Sequence, residues 1–221
     1  MTMHKPTSQQ MRVIFLPAIT VLVLLAAASL VFNIEMQFIT KDVAAIANMH
    51  PLSGILSNLG VILWSVTSAI CFFSAILLYK NSAAKNQAHF IACSAYLSTY
   101  LLLDDFFQFH DGLASEYLGI YEKVIYLFLG IAVLKYLLHF KTIILNTHYF
   151  ALLLAMTFLS SSVCIDAIVA RWLWAPLGHW EYFIEDGLKW LGICCWCAYY
   201  VETCYQFIIH AFGLMNNNRL E

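Results

Sequence analysis

Six apolar stretches, each long enough to cross a bilayer as a helix, follow one another along the sequence. A helix rises about 1.5 Å per residue, so about 20 apolar residues cover the hydrocarbon core of a membrane. The stretches occupy residues 13–34, 52–79, 89–110, 118–139, 143–170 and 181–212. They predict an all-α, polytopic membrane helix bundle of about six transmembrane spans that forms one domain over residues 1–221.

The shortage of charge gives the same prediction. Only 11% of the residues are charged and 62% are hydrophobic, whereas soluble domains carry about 25% charged residues. Such a chain could not cover a water-facing surface, so we predict that the lipid bilayer is its solvent and first partner. The net charge of −2 gives no electrostatic reason to expect a nucleic acid partner. The seven cysteines all fall within predicted spans, where an odd number predicts free thiols.

The lysines and arginines predict the orientation, because cytoplasmic loops of membrane proteins are enriched in them. If both termini lie on one side, that side collects Lys5, Arg12, Lys80, Lys85, Lys135, Lys141 and Arg219. The other side receives only Lys41, Lys123, Arg171 and Lys189. We therefore predict a multi-pass protein of the cell membrane (inner or plasma membrane) whose termini are both cytoplasmic.

The acids gather at the opposite, non-cytoplasmic ends of the spans, all except Glu202 and Glu221. Asp104 and Asp105 lie within the third span, between three leucines and a phenylalanine-rich stretch. Carboxylates at that depth are costly in lipid and usually face a bundle interior or a wet cavity. Asp104, Gln108 and Asp111 would share one helical face, since they are spaced i, i+4 and i+7.

The sixth span supplies a possible partner for these acids. Glu181, Glu185 and Lys189 are spaced i, i+4 and i+8, and the order Glu then Lys favours an ion pair within one helix. Lys189 is thus a candidate counter-charge for Glu185, or for Asp104 or Asp105 across the bundle.

Acids from several spans, with two histidines at the same level, predict a pocket near the non-cytoplasmic face. Carboxylates and imidazoles together suit a divalent cation, although no spacing here identifies which metal. The predicted metal ligands are Asp104, Asp105, His110, Asp111, Glu185 and Asp186. The predicted substrate pocket adds Gln108, Glu122, Asp166, His179 and Lys189. In a metal-dependent hydrolase acting on a lipid or small amphiphile, Asp105 and Glu185 would be the catalytic carboxylates.

Other functions stay open at this point. The chain is also consistent with a structural or accessory subunit of a membrane complex, as an oligomer or with a partner subunit. A proton- or cation-coupled transporter of small solutes would use intramembrane carboxylates as well. Four histidines near the cytoplasmic span ends could ligate a haem instead: His89, His139, His148 and His210. Acids that only cap helices and meet water would leave the same pattern.

Overall fold

The computed structural model describes residues 8–40, 43–50, 52–109, 122–168 and 180–213. These residues form helices and turns, with no strand among them, which confirms the predicted all-α class. The chain separates into two compact units, Met1–Ser53 and Gly54–Glu221.

In the first unit, the described residues form one long helix and two short ones. They are α1 (Ser8–Phe32), α2 (Met36–Thr40) and α3 (Val43–Ile46). The long helix ends two residues before the predicted boundary because Asn33 takes a left-handed backbone conformation with φ of 52°. Across this helix end, the Ser29 hydroxyl donates to the Ile34 carbonyl at 2.7 Å.

Five helices are described in the second unit. They are α4 (Ile55–Tyr79), α5 (Lys85–Phe107), α6 (Glu122–Leu145), α7 (Phe150–Ile168) and α8 (Trp180–Ala211), with a short 3₁₀ turn, Ser82–Ala84, before α5. Within the described residues, three helical segments are long and apolar enough to cross a membrane: Ile55–Tyr79, Ser82–Phe107 and Val124–Leu145. The apolar helices Ala18–Phe32 and Phe150–Ile165 are shorter.

The predicted boundary between the fourth and fifth spans is wrong. The fourth predicted span was placed to end at His139 and the next to begin at residue 143, but α6 continues to Leu145. Nothing between these positions breaks a helix, and the turn comes only where Asn146 and Thr147 donate their amides to carbonyls of the last turn.

The helix of the third predicted span ends earlier than predicted. Gln108 takes φ of 50° and ψ of 47°, and its backbone N–H donates to the Asp104 carbonyl. This left-handed cap ends α5 at Phe107 rather than at residue 110. Gln108 therefore does not continue the helical face that carries Asp104, contrary to the prediction from their spacing.

Helix α4 packs against both α5 and α8, and α8 packs in turn against α7. Small and hydroxyl side chains allow these close approaches. The hydroxyls of Ser68 and Thr99 are 2.6 Å apart across the α4–α5 interface. The indole of Trp196 donates to the Ser98 hydroxyl at 3.0 Å, which links α8 to α5.

Helix α6 is held chiefly through its second half. The hydroxyl of Tyr136 lies 2.6 Å from that of Ser94 on α5 and 2.7 Å from that of Tyr200 on α8. Both of these partners are fully buried. The buried side chains of α6, Tyr136, Phe140 and Ile144, all lie in this half, whereas none of the side chains described at 124–133 is buried. Helix α6 therefore contacts the bundle through its second half, and space remains beside its first half.

Gly192 gives a test of the α7–α8 contact. A Cβ added there would lie 2.7 Å from Leu159 Cγ and 3.1 Å from the Leu159 amide nitrogen. Gly192→Ala should therefore destabilise the fold by on the order of 1 kcal/mol, because overpacking outweighs the gain in helix propensity. Thermal unfolding in mild detergent measures this change.

Gly187, on the same helix, is the matched control, because a Cβ there meets nothing within 4 Å. Gly187→Ala should leave stability unchanged or raise it by up to about 1 kcal/mol. Equal unfolding temperatures for the two alanine variants would contradict the packing described for Gly192.

Candidate functional site

One carboxylate joins three helices. Asp105, near the end of α5, lies with Oδ1 2.7 Å from Lys189 Nζ on α8. Its Oδ2 accepts the indole N–H of Trp64 on α4 at 2.8 Å. The Asp105 side chain is only 10% exposed, so these two partners replace most of the water that the carboxylate would otherwise bind.

The sequence offered Lys189 three acids: Glu185 on its own helix, Asp104 and Asp105. The structure pairs it with Asp105. Charged hydrogen bonds are strongest where water is scarce. The bond across the bundle also supplies the acceptor that the buried indole of Trp64 needs, because an indole N–H is seldom left unbonded in an apolar interior.

A cavity of about 460 Å³ opens beside this ion pair, bounded by α5, α6, α7 and α8. Charged side chains line one end of the cavity, the acidic end: Asp104, Asp105, Glu185, Asp186 and Lys189. The Asp104 side chain is 5% exposed, and Trp64 and Trp196 lie against the cavity as well.

Away from the acidic end the cavity wall is mainly apolar. The aliphatic and thioether side chains come from α5, α6 and α7: Leu101, Leu129, Val133, Leu134, Leu137, Met156, Leu159 and Val163. Tyr126 and Cys164 also line this part, and Ser160 and Ser162 add two hydroxyls. Gly130 lines the wall on α6, and a Cβ built there meets nothing within 4 Å. The cavity therefore has one ionic end and a long hydrophobic side.

Five residues of the predicted site come together at this acidic end: Asp104, Asp105, Glu185, Asp186 and Lys189. Gln108, a sixth, caps α5 instead and is not part of the cavity lining. The remainder of the predicted set cannot be placed. Glu122 and Asp166 lie in α6 and α7, with side chains outside the description, and His110, Asp111 and His179 lie outside the described residues.

The described residues do not assemble a metal site. Among the histidine, cysteine, aspartate and glutamate side chains that the structure describes, no group of three is placed to hold an ion. The predicted catalytic residues have different surroundings. Asp105 is bonded to Lys189 and Trp64, whereas Glu185 lies half-buried on the cavity wall.

Trp64 and Gly130 line the cavity but were not among the site residues predicted from the sequence. Trp64 follows Gly60 and precedes Thr67, Ser68 and Cys71 on the buried face of α4. This helically spaced run of small and polar residues was the available signal. For Gly130 the only signal was a glycine between two aliphatic residues in a predicted span, which by itself is weak.

Two of the predicted haem-ligand histidines meet away from the acidic end. The rings of His89 on α5 and His139 on α6 lie with centroids 6.4 Å apart. Nε2 of His89 is also 3.8 Å from the Cys93 sulfur. Both histidines are exposed, and His148 and His210 have no described ring contact with them.

The ion pair can be measured with a double-mutant cycle on Asp105 and Lys189. Asp105→Asn should lower stability by about 1–3 kcal/mol, since it leaves a half-buried ammonium without its counter-charge. Lys189→Met should act similarly. The double variant should lose at least about 1 kcal/mol less than the sum of the two single losses.

The exposed pair Glu202 and Gln206, with Oε1 and Nε2 2.7 Å apart, is the control cycle. Its coupling should stay within about 0.5 kcal/mol. Additive losses for Asp105 and Lys189 would mean that the two charges do not stabilise one another. Thermal unfolding in the same detergent serves for all variants.

The comparisons with known proteins find one family. Comparison with curated proteins and with solved structures gives no match. A sequence profile described as "Domain of unknown function (DUF8692)" matches residues 15–203, a segment that includes every described residue of the acidic end. Since the match covers most of the sequence, the chain belongs to the DUF8692 family.

Proposed function

We propose that the chain is a membrane protein of about six spans with cytoplasmic termini, whose cavity binds a lipid or small amphiphile near the non-cytoplasmic face. Three helices of sufficient length and hydropathy support the membrane location. The uneven distribution of lysine and arginine supports the orientation. With that orientation the acidic end of the cavity faces away from the cytoplasm.

One observation carries the ligand proposal: the cavity is ionic at one end and apolar along its side. Its volume of about 460 Å³ lies in the range of small-molecule sites, which is about 300–1,000 Å³. A purely polar solute would leave the leucine and methionine wall uncovered. A purely apolar one would place hydrocarbon against the charged side chains of the acidic end, at a cost in lost hydration. An amphiphile satisfies both parts of the lining.

The attachment of α6 supports a route of entry from the bilayer. Tyr136 fixes this helix through its second half, while the cavity lies along the half that carries Tyr126 and Gly130. Motion of this half would open the cavity sideways. A ligand with a hydrocarbon chain would then enter without leaving the membrane.

The metal-dependent hydrolase predicted from the sequence stays a prediction. It would need further ligands from His110, Asp111 or His179, because the described residues supply no group of three. It would also need a carboxylate free to activate water. Asp105 is already engaged by Lys189 and Trp64. Binding of an amphiphile requires neither condition.

Filling the cavity tests the proposal. Gly130→Leu places a side chain in the open space beside Gly130 and should lower amphiphile affinity at least about ten-fold, or about 1.4 kcal/mol. The measurement is equilibrium binding of a fluorescent single-chain amphiphile to protein purified in neutral detergent. Its thermal unfolding should stay close to that of the unsubstituted protein.

Gly187→Leu is the matched control. It adds the same side chain to a helical glycine that also has no neighbour within 4 Å but does not line the cavity. This variant should bind normally. If Gly130→Leu bound the amphiphile as well as the control does, the cavity would not be the binding site.

A further inference from the structure

We propose that Lys189 forms a reversible imine with a long-chain aldehyde bound in the cavity, and that Asp105 is both the base for this reaction and the counter-ion of its product. The inference rests on the proposed function and adds to it a covalent step and the chemical class of the ligand. It follows from the position of the Lys189 amine, from the charge that Asp105 requires and from the volume of the cavity.

The Lys189 side chain lies between a carboxylate and an apolar cavity. It is 35% exposed and borders the cavity, and its Nζ lies 2.7 Å from Asp105 Oδ1. Lysines in apolar surroundings are the ones that form imines with carbonyl compounds, since a primary amine is the nucleophile that this reaction needs. Ionisable side chains within a membrane bundle mark functional sites, and counter-ions of bound ligands are among their roles.

The ion pair supplies the proton transfers of the reaction. Asp105 Oδ1 accepts a proton from the ammonium, and the free amine forms an N–C bond with the aldehyde carbon. The carbonyl oxygen takes a second proton from this nitrogen, which gives a neutral carbinolamine. Asp105 then returns its proton to the new hydroxyl as the C–O bond breaks. One water leaves, and a protonated imine remains beside the Asp105 carboxylate.

The charge that Asp105 requires favours an aldehyde over other compounds that react with amines. A protonated imine keeps the positive charge and one N–H, so it can still donate to Asp105 Oδ1. Acyl transfer from an ester would leave a neutral amide and take the counter-charge from a carboxylate that is only 10% exposed, which is costly. The Trp64 indole, which donates to Oδ2 at 2.8 Å, holds the carboxylate in place while the nitrogen changes.

The cavity has room for one hydrocarbon chain. Its volume of about 460 Å³ corresponds to about 15 heavy atoms if each takes about 30 Å³, the share of one molecule in liquid water. Leu129, Val133 and Leu134 belong to the aliphatic wall that would cover such a chain. A chain held there raises the effective concentration of the aldehyde at Lys189, and exclusion of water slows hydrolysis of the imine.

Reductive trapping tests the inference. Protein purified in neutral detergent is incubated with tetradecanal and cyanoborohydride, which reduces an imine to a stable secondary amine that peptide mass spectrometry locates. We expect one tetradecyl group per chain, at Lys189, formed at least about ten-fold faster than at the exposed Lys85, Lys135 and Lys141. Tetradecanol, which cannot react, should suppress this labelling by competing for the cavity. Butanal, which lacks the long chain, should show no preference for Lys189.

Variants identify the reacting groups. Lys189→Arg keeps a cation for Asp105 but has no primary amine, so labelling per chain should fall at least about ten-fold. Lys135→Arg, at an exposed position of α6, is the matched control and should leave the labelling of Lys189 unchanged. Asp105→Asn should slow that labelling by about a hundred-fold, whereas Asp105→Glu, which keeps a carboxylate, should retain most of the rate. The peptide map of the unsubstituted protein gives the labelled position even if a variant does not fold.

The outcomes separate this inference from the proposed function. If tetradecanol displaces the fluorescent amphiphile but tetradecanal labels Lys189 no faster than the exposed lysines, the imine is wrong while the amphiphile site stands. If Asp105→Asn is labelled as fast as the unsubstituted protein, Asp105 is not the base. If neither tetradecanol nor tetradecanal displaces the fluorescent amphiphile, or if Gly130→Leu weakens the binding of neither, the amphiphile site itself is wrong.

Discussion

The bond between Asp105 and Lys189 is the contact on which the arrangement of the acidic end depends. An ionised group in an apolar bundle must find a partner or lose its charge. Here the carboxylate of α5 meets an ammonium of α8 at 2.7 Å and an indole N–H of α4 at 2.8 Å. Sliding any one of these helices by a turn would separate a charge from its partner. The pair therefore sets the register of three helices and brings Asp104, Glu185 and Asp186 to one cavity.

Sequence reasoning predicted the charged part of this site and missed most of its apolar part, for a physical reason. Asp105 and Lys189 stand out because charge within an apolar span is expensive, so their presence alone indicates a partner. Leu134 and Met156 look the same whether they face lipid, a neighbouring helix or a cavity. Gly130 became informative only when the space around it was known. Apolar positions of a membrane helix carry little pattern, since lipid and protein interior are equally apolar.

Helix boundaries show the same limit of prediction from sequence, here for the backbone. The predicted end of α6 at His139 assumed that the polar residues His139 and Lys141 begin a loop. A long cationic side chain can instead remain on a helix and reach toward water with its tip, and the helix continues to Leu145. At Gln108 the predicted helix was too long rather than too short. The left-handed conformation of Gln108 ends α5 before the predicted boundary, and no residue type in that stretch indicates such a cap.

The choice of Asp105 as partner for Lys189 also explains why the acidic end can hold four carboxylates. A local pair of Glu185 and Lys189 on α8 would leave Asp104 and Asp105 as adjacent like charges on α5, without this ammonium beside them. The cross-helix pair places the ammonium between the acids of α5 and those of α8, where it lowers their mutual repulsion.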